Sequence, residues 1–269
     1  MSTPAKPTTT GRTAEFTFEI NAPVADVWAA ITEAEHLMNW FPLTAEVKPG
    51  QGGTMFMAWG DAFNGSCTIE VWEPNSRLRT TFMDAPDGPM RTRVEYHLEG
   101  GDGPTTLRLV HSGFGEGADW DRLYDGVSRG WSAELRSLRH YVENHFGEPR
   151  AVAWASVPFE KDQARMWALL MGERCLGIDS PGSLGPGDRF SADGPTLGKI
   201  SGTALLAGEP GILLATVDEL NNAYLRVELE RCSGTEPTIW FWLSTYGASA
   251  ETMSTLDARI NETLGELIG

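Results

Sequence analysis

Several groups of residues in this chain have types and spacings that could do chemistry. Gly126-Val127-Ser128-Arg129-Gly130 has the G-x-S-x-G spacing of a hydrolase nucleophile. That chemistry needs a buried strand feeding a tight turn into a helix. Here Trp120 to Asp125 already read as helix, so the match reads as accidental. Gly113-Phe114-Gly115-Glu116-Gly117-Ala118 lies between a strand and a helix, where bare amides can hold a pyrophosphate. Glu116, Asp119 and Asp121 put negative charge where the phosphates would sit, and they serve better as first-turn partners of the helix dipole. His140 and His145 are five apart and are expected to project from different helix faces, and no H-E-x-x-H spacing occurs, so no metal site is expected. Tyr96 and His111 are the candidate catalytic residues, His111 because an imidazole titrates near neutral pH and this one falls near the end of a strand. Glu70 and Glu95 are out of phase with the apolar residues of their strands and are expected on the outer face. In the opposite phase they would be buried carboxylates with raised pKa.

An apolar wall is the other candidate site. Met55, Met57, Trp59, Cys67, Ile69, Phe82, Tyr96, Trp131 and Leu135 fall on the inward phase of successive elements, in a chain with ten Trp and nine Met. Aromatic and thioether side chains suit both tight cores and adaptable pockets. Burying roughly 400 Å² of an apolar ligand would yield about 10 kcal/mol at ~25 cal/mol per Å². Association costs of roughly 4 kcal/mol or more still leave micromolar binding.

These residues must be positioned by a strand-rich scaffold. Ala14 to Ile20 alternates as a half-buried strand, and Asn21 is expected to cap a helix over Pro23 to Ile31. A second short helix through Leu37 and Trp40 stops at Phe41-Pro42. Alternating runs then recur at Thr54 to Trp59, Cys67 to Val71, Leu78 to Phe82, Val94 to Leu98 and Leu107 to His111, joined by short Gly-, Pro- and Asn-bearing turns. That is an antiparallel meander. From Ala118 to about Phe146 the apolar residues step by three and four through Trp120, Leu123, Val127, Trp131, Leu135, Leu138 and Val142, which predicts one long amphipathic helix. Gly147-Glu148-Pro149 ends it and marks the domain border. The order then repeats: a strand over Val152 to Val157, a helix over Asp162 to Met171, a glycine-rich loop over Gly172 to Gly187, four strands between Ile200 and Tyr246, and a closing helix carrying Met253, Leu256, Ile260, Leu264 and Leu267.

Four pieces of the first half carry a family resemblance. They are Ile20-Asn21-Ala22-Pro23 with Val27-Trp28, the Trp40-Phe41 helix end, the Pro49-Gly50 and Gly52-Gly53 turn, and Gly130-Trp131 with Leu135 and Leu138. In this order across residues 14–146 they resemble the family named after the activator of the heat-shock protein 90 ATPase, within the START-like or SRPBCC superfamily. The resemblance implies an α+β helix-grip fold, an antiparallel sheet wrapped around a long C-terminal helix, in tandem. It implies a START-like domain over residues 13–147 and a divergent second copy over 151–269; the Thr- and Pro-rich opening, residues 1–12, reads as a disordered tail. It also implies a cavity between sheet and helix that binds a small apolar or amphipathic molecule, without an obligatory cofactor. Two further readings accompany it: a cyclase- or hydrolase-like enzyme using the pocket His111 and Tyr96, and a chaperone-regulating or protein-interaction module. The additional N-terminal domain of the eukaryotic co-chaperones is not seen in this sequence.

Composition narrows the partners. Asp and Glu outnumber Lys and Arg by 37 to 21, a formal charge of −16, and Arg77 with Arg79, Arg91 with Arg93 and Arg136 with Arg139 are isolated pairs. No nucleic-acid partner is expected, because a polyanion is repelled unless basic residues cluster. No apolar run approaches membrane-spanning length, so no membrane insertion is expected. Cys67, Cys175 and Cys232 are too few and too scattered for a disulfide framework, and with no export signal visible they point to a reducing cytoplasm. In that compartment the glycosylation patterns at Asn64-Gly65-Ser66 and Asn261-Glu262-Thr263 carry no meaning.

Overall fold

The computed structural model describes residues 11–60, 63–82, 92–207, 211–230 and 237–269. Residues 1–10 of the expected tail, Arg91 and Cys232 lie outside the described residues. The chain forms two compact units, Met1–Leu135 and Arg136–Gly269.

The first unit opens with β1 (Arg12–Ile20), which already includes the last residue of the expected tail and turns Ala14 and Ile20 inward. Helix α1 (Val24–Thr32) follows. Asn21 does not cap it: Pro23 holds the cap position, and the Val24 N–H, an orphan donor of the first turn, finds the Gly101 carbonyl at 3.0 Å. A proline is tolerated there because its missing N–H would have been unpaired anyway. Helix α2 (Ala34–Leu37) is shorter than the apolar spacing suggests and passes into a turn before Phe41. Strands β2 (Thr44–Lys48), β3 (Thr54–Trp59), β4 (Phe63–Glu73), β5 (Arg77–Phe82), β6 (Arg93–Glu99) and β7 (Thr105–Phe114) complete the meander, and α3 (Ala118–Asn144) follows. The antiparallel sheet has the order β1-β7-β6-β5-β4-β3-β2. β2 was not visible in the sequence pattern. It is an edge strand of five residues with Glu46 and Lys48 exposed, and an edge tolerates charge that a central strand does not.

The second unit begins inside α3 and continues with β8 (Arg150–Pro158), α4 (Gln163–Met171), β9 (Arg189–Gly194), β10 (Gly198–Leu206), β11 (Ile212–Val217), β12 (Ala223–Glu230), β13 (Thr238–Tyr246) and α5 (Ala250–Ile268). Its antiparallel sheet has the order β8-β13-β12-β11-β10-β9. Asp162 and Ser249 cap α4 and α5 with their side-chain oxygens, accepting from Ala164 and Arg165 in one case and Thr252 in the other. Leu256, Ile260, Leu264 and Leu267 of α5 enter one continuous apolar cluster with Leu213, Leu225, Phe241 and Leu243 of the sheet. Both units are therefore α+β helix-grip folds, as the alternating runs and the long closing helices imply. Among the described residues no helix is long and apolar enough to cross a membrane.

Gly202 shows why one strand position admits no side chain. A Cβ there would lie 1.9 Å from the Thr216 carbonyl oxygen on β11. Gly265, within α5, has nothing within 4 Å of its Cβ position. Gly202→Ala is expected to destabilise the protein by about 1–3 kcal/mol through forced strand displacement. Gly265→Ala is expected to stabilise it by about 0.5–1 kcal/mol. Urea unfolding of both variants checks the opposite signs.

Candidate functional site

The inner faces of β3 to β6 converge with α1, α2 and α3 on one cleft. Its lining is Ile31, Leu37, Phe41, Met55, Met57, Cys67, Leu78, Thr80, Phe82, Val94, Tyr96 and Trp131. Alternation along each strand produces this: Met55 and Met57 are inward on β3, Leu78 and Thr80 on β5, Val94 and Tyr96 on β6. Counting its mouth, the cleft measures about 330 Å³, but the enclosed space is only about 20 Å³. That is room for roughly one water.

Trp131 and Phe41 pack together on its wall. Their ring centroids are 5.6 Å apart, Phe41 meets Trp59 edge-on at 4.9 Å, and Trp131 meets Tyr96 edge-on at 6.1 Å. Phe41 also stacks on Trp40, whose indole N–H donates to the Ala30 carbonyl at 2.8 Å. The Trp131 indole N–H donates to His111 Nδ1 at 2.9 Å. An indole only donates, so His111 must carry its proton on Nε2, and that atom is buried without a hydrogen-bond partner.

Of the expected wall, Met55, Met57, Cys67, Phe82, Tyr96 and Trp131 meet at the cleft, while Trp59 stands behind Phe41. Ile69 and Leu135 are fully buried outside the lining. Sequence reasoning missed Ile31, Leu37, Phe41, Leu78, Thr80 and Val94 as lining residues. The Trp40-Phe41 helix end was the available signal for Phe41. Tyr96 faces the cleft, and its hydroxyl is held protonated by burial, with Cys67 and Glu134 adding to the effect. Burial likewise raises the Cys67 thiol, against hydrogen bonds that favour its thiolate. His111 lies behind Trp131 rather than on the cleft wall.

The other candidate groups resolve as follows. Ser128 sits within α3, with its Oγ buried and unpartnered, so there is neither an elbow nor a base to activate it. Glu70 and Glu95 lie on the outer face, in ion pairs with Arg79 at 2.9 Å and Arg77 at 2.7 Å respectively. His140 and His145 do not diverge. α3 ends at Asn144, so His145 has left the helix, and the two rings come within 5.2 Å, both donating to the Asn222 carbonyl. Among the described residues, Glu33, Glu35 and His36 form one cluster with metal-ligand atom types; both carboxylates are exposed, as acidic groups at a helix start commonly are.

An antiparallel sheet closed over a helix, with an aromatic-plugged apolar cleft between them, defines the first unit as a helix-grip domain. Residues 21–143 match the sequence model of the family described as Activator of Hsp90 ATPase homolog 1-like protein, which bears out the resemblance read across residues 14–146. Three of the similar solved structures illustrate the likeness. Protein MLL2253 from Mesorhizobium loti is 26% identical, with 50% of this chain and 98% of that one covered and a TM-score of 0.45. DynU16, a putative protein in the dynemicin biosynthetic locus, is 21% identical, with 95% and 96% covered and a TM-score of 0.43. The di-domain ARO/CYC BexL from the BE-7585A biosynthetic pathway is 16% identical, with 95% and 93% covered and a TM-score of 0.43. No curated protein matches the chain.

Burial holds His111 and His140 at about 4, below the ordinary histidine value. The unfolded chain therefore takes up protons first as the medium is acidified. Stability from these groups is complete above about pH 6.5 and is lost as pH falls toward 4, by on the order of 3 kcal/mol per histidine at most. His111→Gln keeps an acceptor for Trp131 but no titrating ring, so its unfolding free energy should fall less steeply between pH 6.5 and 4 than that of the parent. Equal slopes in urea titrations across this range would mean that His111 is protonated within the fold.

Proposed function

We propose that the domain spanning residues 13–147 binds a small apolar or amphipathic molecule in the cleft between α3 and its sheet, with the Trp131 side chain as the wall that moves. The observation supporting this is the composition of the lining. Twelve side chains from seven elements and the turn at Phe41 converge there, and besides the Trp131 indole only Thr80, Cys67 and Tyr96 bring a hydroxyl or thiol. A pocket that is mostly apolar with a few placed polar groups is the usual form of a small-molecule site. The enclosed space of about 20 Å³ admits no such guest while Trp131 is seated, so occupancy requires the indole to leave. One hydrogen bond and ring contacts hold it. On leaving, it frees His111 Nδ1 as an acceptor, and the neutral Tyr96 hydroxyl remains as a donor. Any acid-base chemistry at this site by His111 and Tyr96 would likewise begin with displacement of Trp131.

Buried free thiols support a cytoplasmic location. Cys67 and Cys175 are buried free thiols, and burial pushes Cys175 up to about 11, so it stays protonated. Neither is poised to form a disulfide.

Trp131→Ala should enlarge the cleft and raise the affinity for 1-anilinonaphthalene-8-sulfonate by about tenfold or more. It should cost about 3–5 kcal/mol of stability. Retained cooperative unfolding would separate a new cavity from a loosened core. Native mass spectrometry of the parent protein from its source should also show a bound species of low mass. A folded Trp131→Ala protein with unchanged probe affinity, together with no bound species, would overturn the proposal.

A further inference from the structure

One corner of the second unit gathers two imidazoles around a single main-chain oxygen. His140 Nε2 lies 2.7 Å and His145 Nε2 3.3 Å from the Asn222 carbonyl oxygen, and both histidines are buried. The chain is bent to bring them together. His145 follows Asn144, the last residue of α3, and its ring stacks on Tyr246 with centroids 4.0 Å apart. Asn221 and Asn222 both take left-handed backbone, with φ of 55° each, a conformation that asparagine tolerates better than most residues. The Asn221 side-chain amide donates to the Tyr246 carbonyl at 3.1 Å, so the turn before β12 is tied down and presents the Asn222 carbonyl to the end of α3.

His145 meets more acceptors than it has protons. Its Nδ1 lies 3.3 Å from a Glu148 carboxylate oxygen while its Nε2 faces Asn222. A neutral imidazole carries one proton. With that proton on Nε2, the Nδ1 lone pair faces a carboxylate; with it on Nδ1, the Nε2 lone pair faces a carbonyl oxygen. A cation at Nε2 removes the conflict, because Nδ1–H then donates to Glu148 and the Nε2 lone pair gains a partner. A carboxylate on the far nitrogen of a ligating histidine is the usual support of a metal site.

Either a proton or a metal ion meets that need, and His140 decides between them. A proton is shared by two atoms, whereas zinc gathers four. Burial, with His145 adding to the effect, holds His140 at about 4, so at neutral pH its ring is uncharged and able to ligate. Ligand atoms about 2.1 Å from a tetrahedral zinc stand about 3.4 Å from one another. The observed 2.7 and 3.3 Å approach that spacing, so a small retreat of the turn seats an ion. His140 and Asn222 also line a cleft, which gives the ion a route in and leaves water for its remaining position.

We propose that His140 Nε2, His145 Nε2 and the Asn222 carbonyl bind a late first-row divalent cation of the zinc type, with Glu148 positioning the His145 ring. Imidazole nitrogens suit this class of ion.

The test is calorimetric titration of the chelator-stripped full chain with zinc chloride, alongside nitrogen NMR spectra of the imidazole rings. The expected result is one zinc ion per chain with Kd on the order of 1 µM. Both Nε2 atoms should shift together as ligated nitrogens. His140→Gln and His145→Gln should each weaken binding by about a hundredfold or more, and Glu148→Gln by about tenfold. His36→Gln should leave binding unchanged, which separates this corner from the cluster of Glu33, Glu35 and His36. The imidazole spectra of the parent preserve the test if a variant fails to fold. Zinc uptake that never saturates, that survives both histidine substitutions, or that is lost in His36→Gln would overturn the proposal. So would a His145 ring that keeps protons on both nitrogens in the presence of zinc, which would assign the corner to a proton.

Discussion

The hydrogen bond from the Trp131 indole to His111 Nδ1 fixes the aromatic wall of the cleft in the first unit. A buried indole N–H needs an acceptor, and a neutral imidazole supplies one only if its proton sits on the other nitrogen. That tautomer leaves the His111 Nε2–H buried without a partner, at a cost of about 1–3 kcal/mol. The closed cleft therefore keeps one satisfied donor at the expense of an unsatisfied one. Protonation at Nδ1 would remove the acceptor outright, so seating of Trp131 and the neutral state of His111 are the same condition.

The sheet separates its chemistry by face. Charged residues of β4, β5 and β6 form a network on the outside, where Glu95 meets Arg77 at 2.7 Å and His97 at 2.9 Å. Partly exposed pairs of this kind contribute little to stability. Their position matters more than their energy, because the same groups turned inward would bring a desolvation cost that no apolar guest could offset. The period of two along each strand keeps the cleft free of charge.

Long-period features were legible in the sequence, and end effects were not. The α3 stripe, the meander and the α5 stripe follow from many residues agreeing with one repeat, so a single exception does no harm. β2 and β9 were missed because each is a short edge strand with two or three inward side chains, Ala45 and Val47 in one and Phe190 and Ala192 in the other. The Asn21 cap failed because Pro23 supplied a conformation already suited to a helix start and a distant carbonyl satisfied the free amide. The divergence of His140 and His145 failed for a related reason: helical spacing no longer applies once the helix has stopped at Asn144. For the candidate site, strand alternation identified Met55, Met57, Cys67, Phe82 and Tyr96. Phe41, which packs against Trp131 on the cleft wall, lies in a turn where no period exists.

The two units show how residue shape decides whether one architecture leaves room inside. In the second unit the closing helix presents Leu256, Ile260, Leu264 and Leu267, and the sheet answers with Leu213, Leu225, Val227 and Leu243. Branched aliphatics interdigitate to the density of a crystal, and the result is a continuous core. In the first unit the contact is made by planar rings, Trp131, Phe41 and Tyr96, meeting at edge-on and tilted angles that leave a gap at their junction. Rings can also leave as rigid bodies, whereas an interdigitated aliphatic side chain cannot be withdrawn without disturbing its neighbours. A common fold thus yields an apolar cleft where aromatics meet and a solid core where aliphatics do. In the second unit the open space lies on the polar outer face of β10 and β11, beside Arg136 and Arg139.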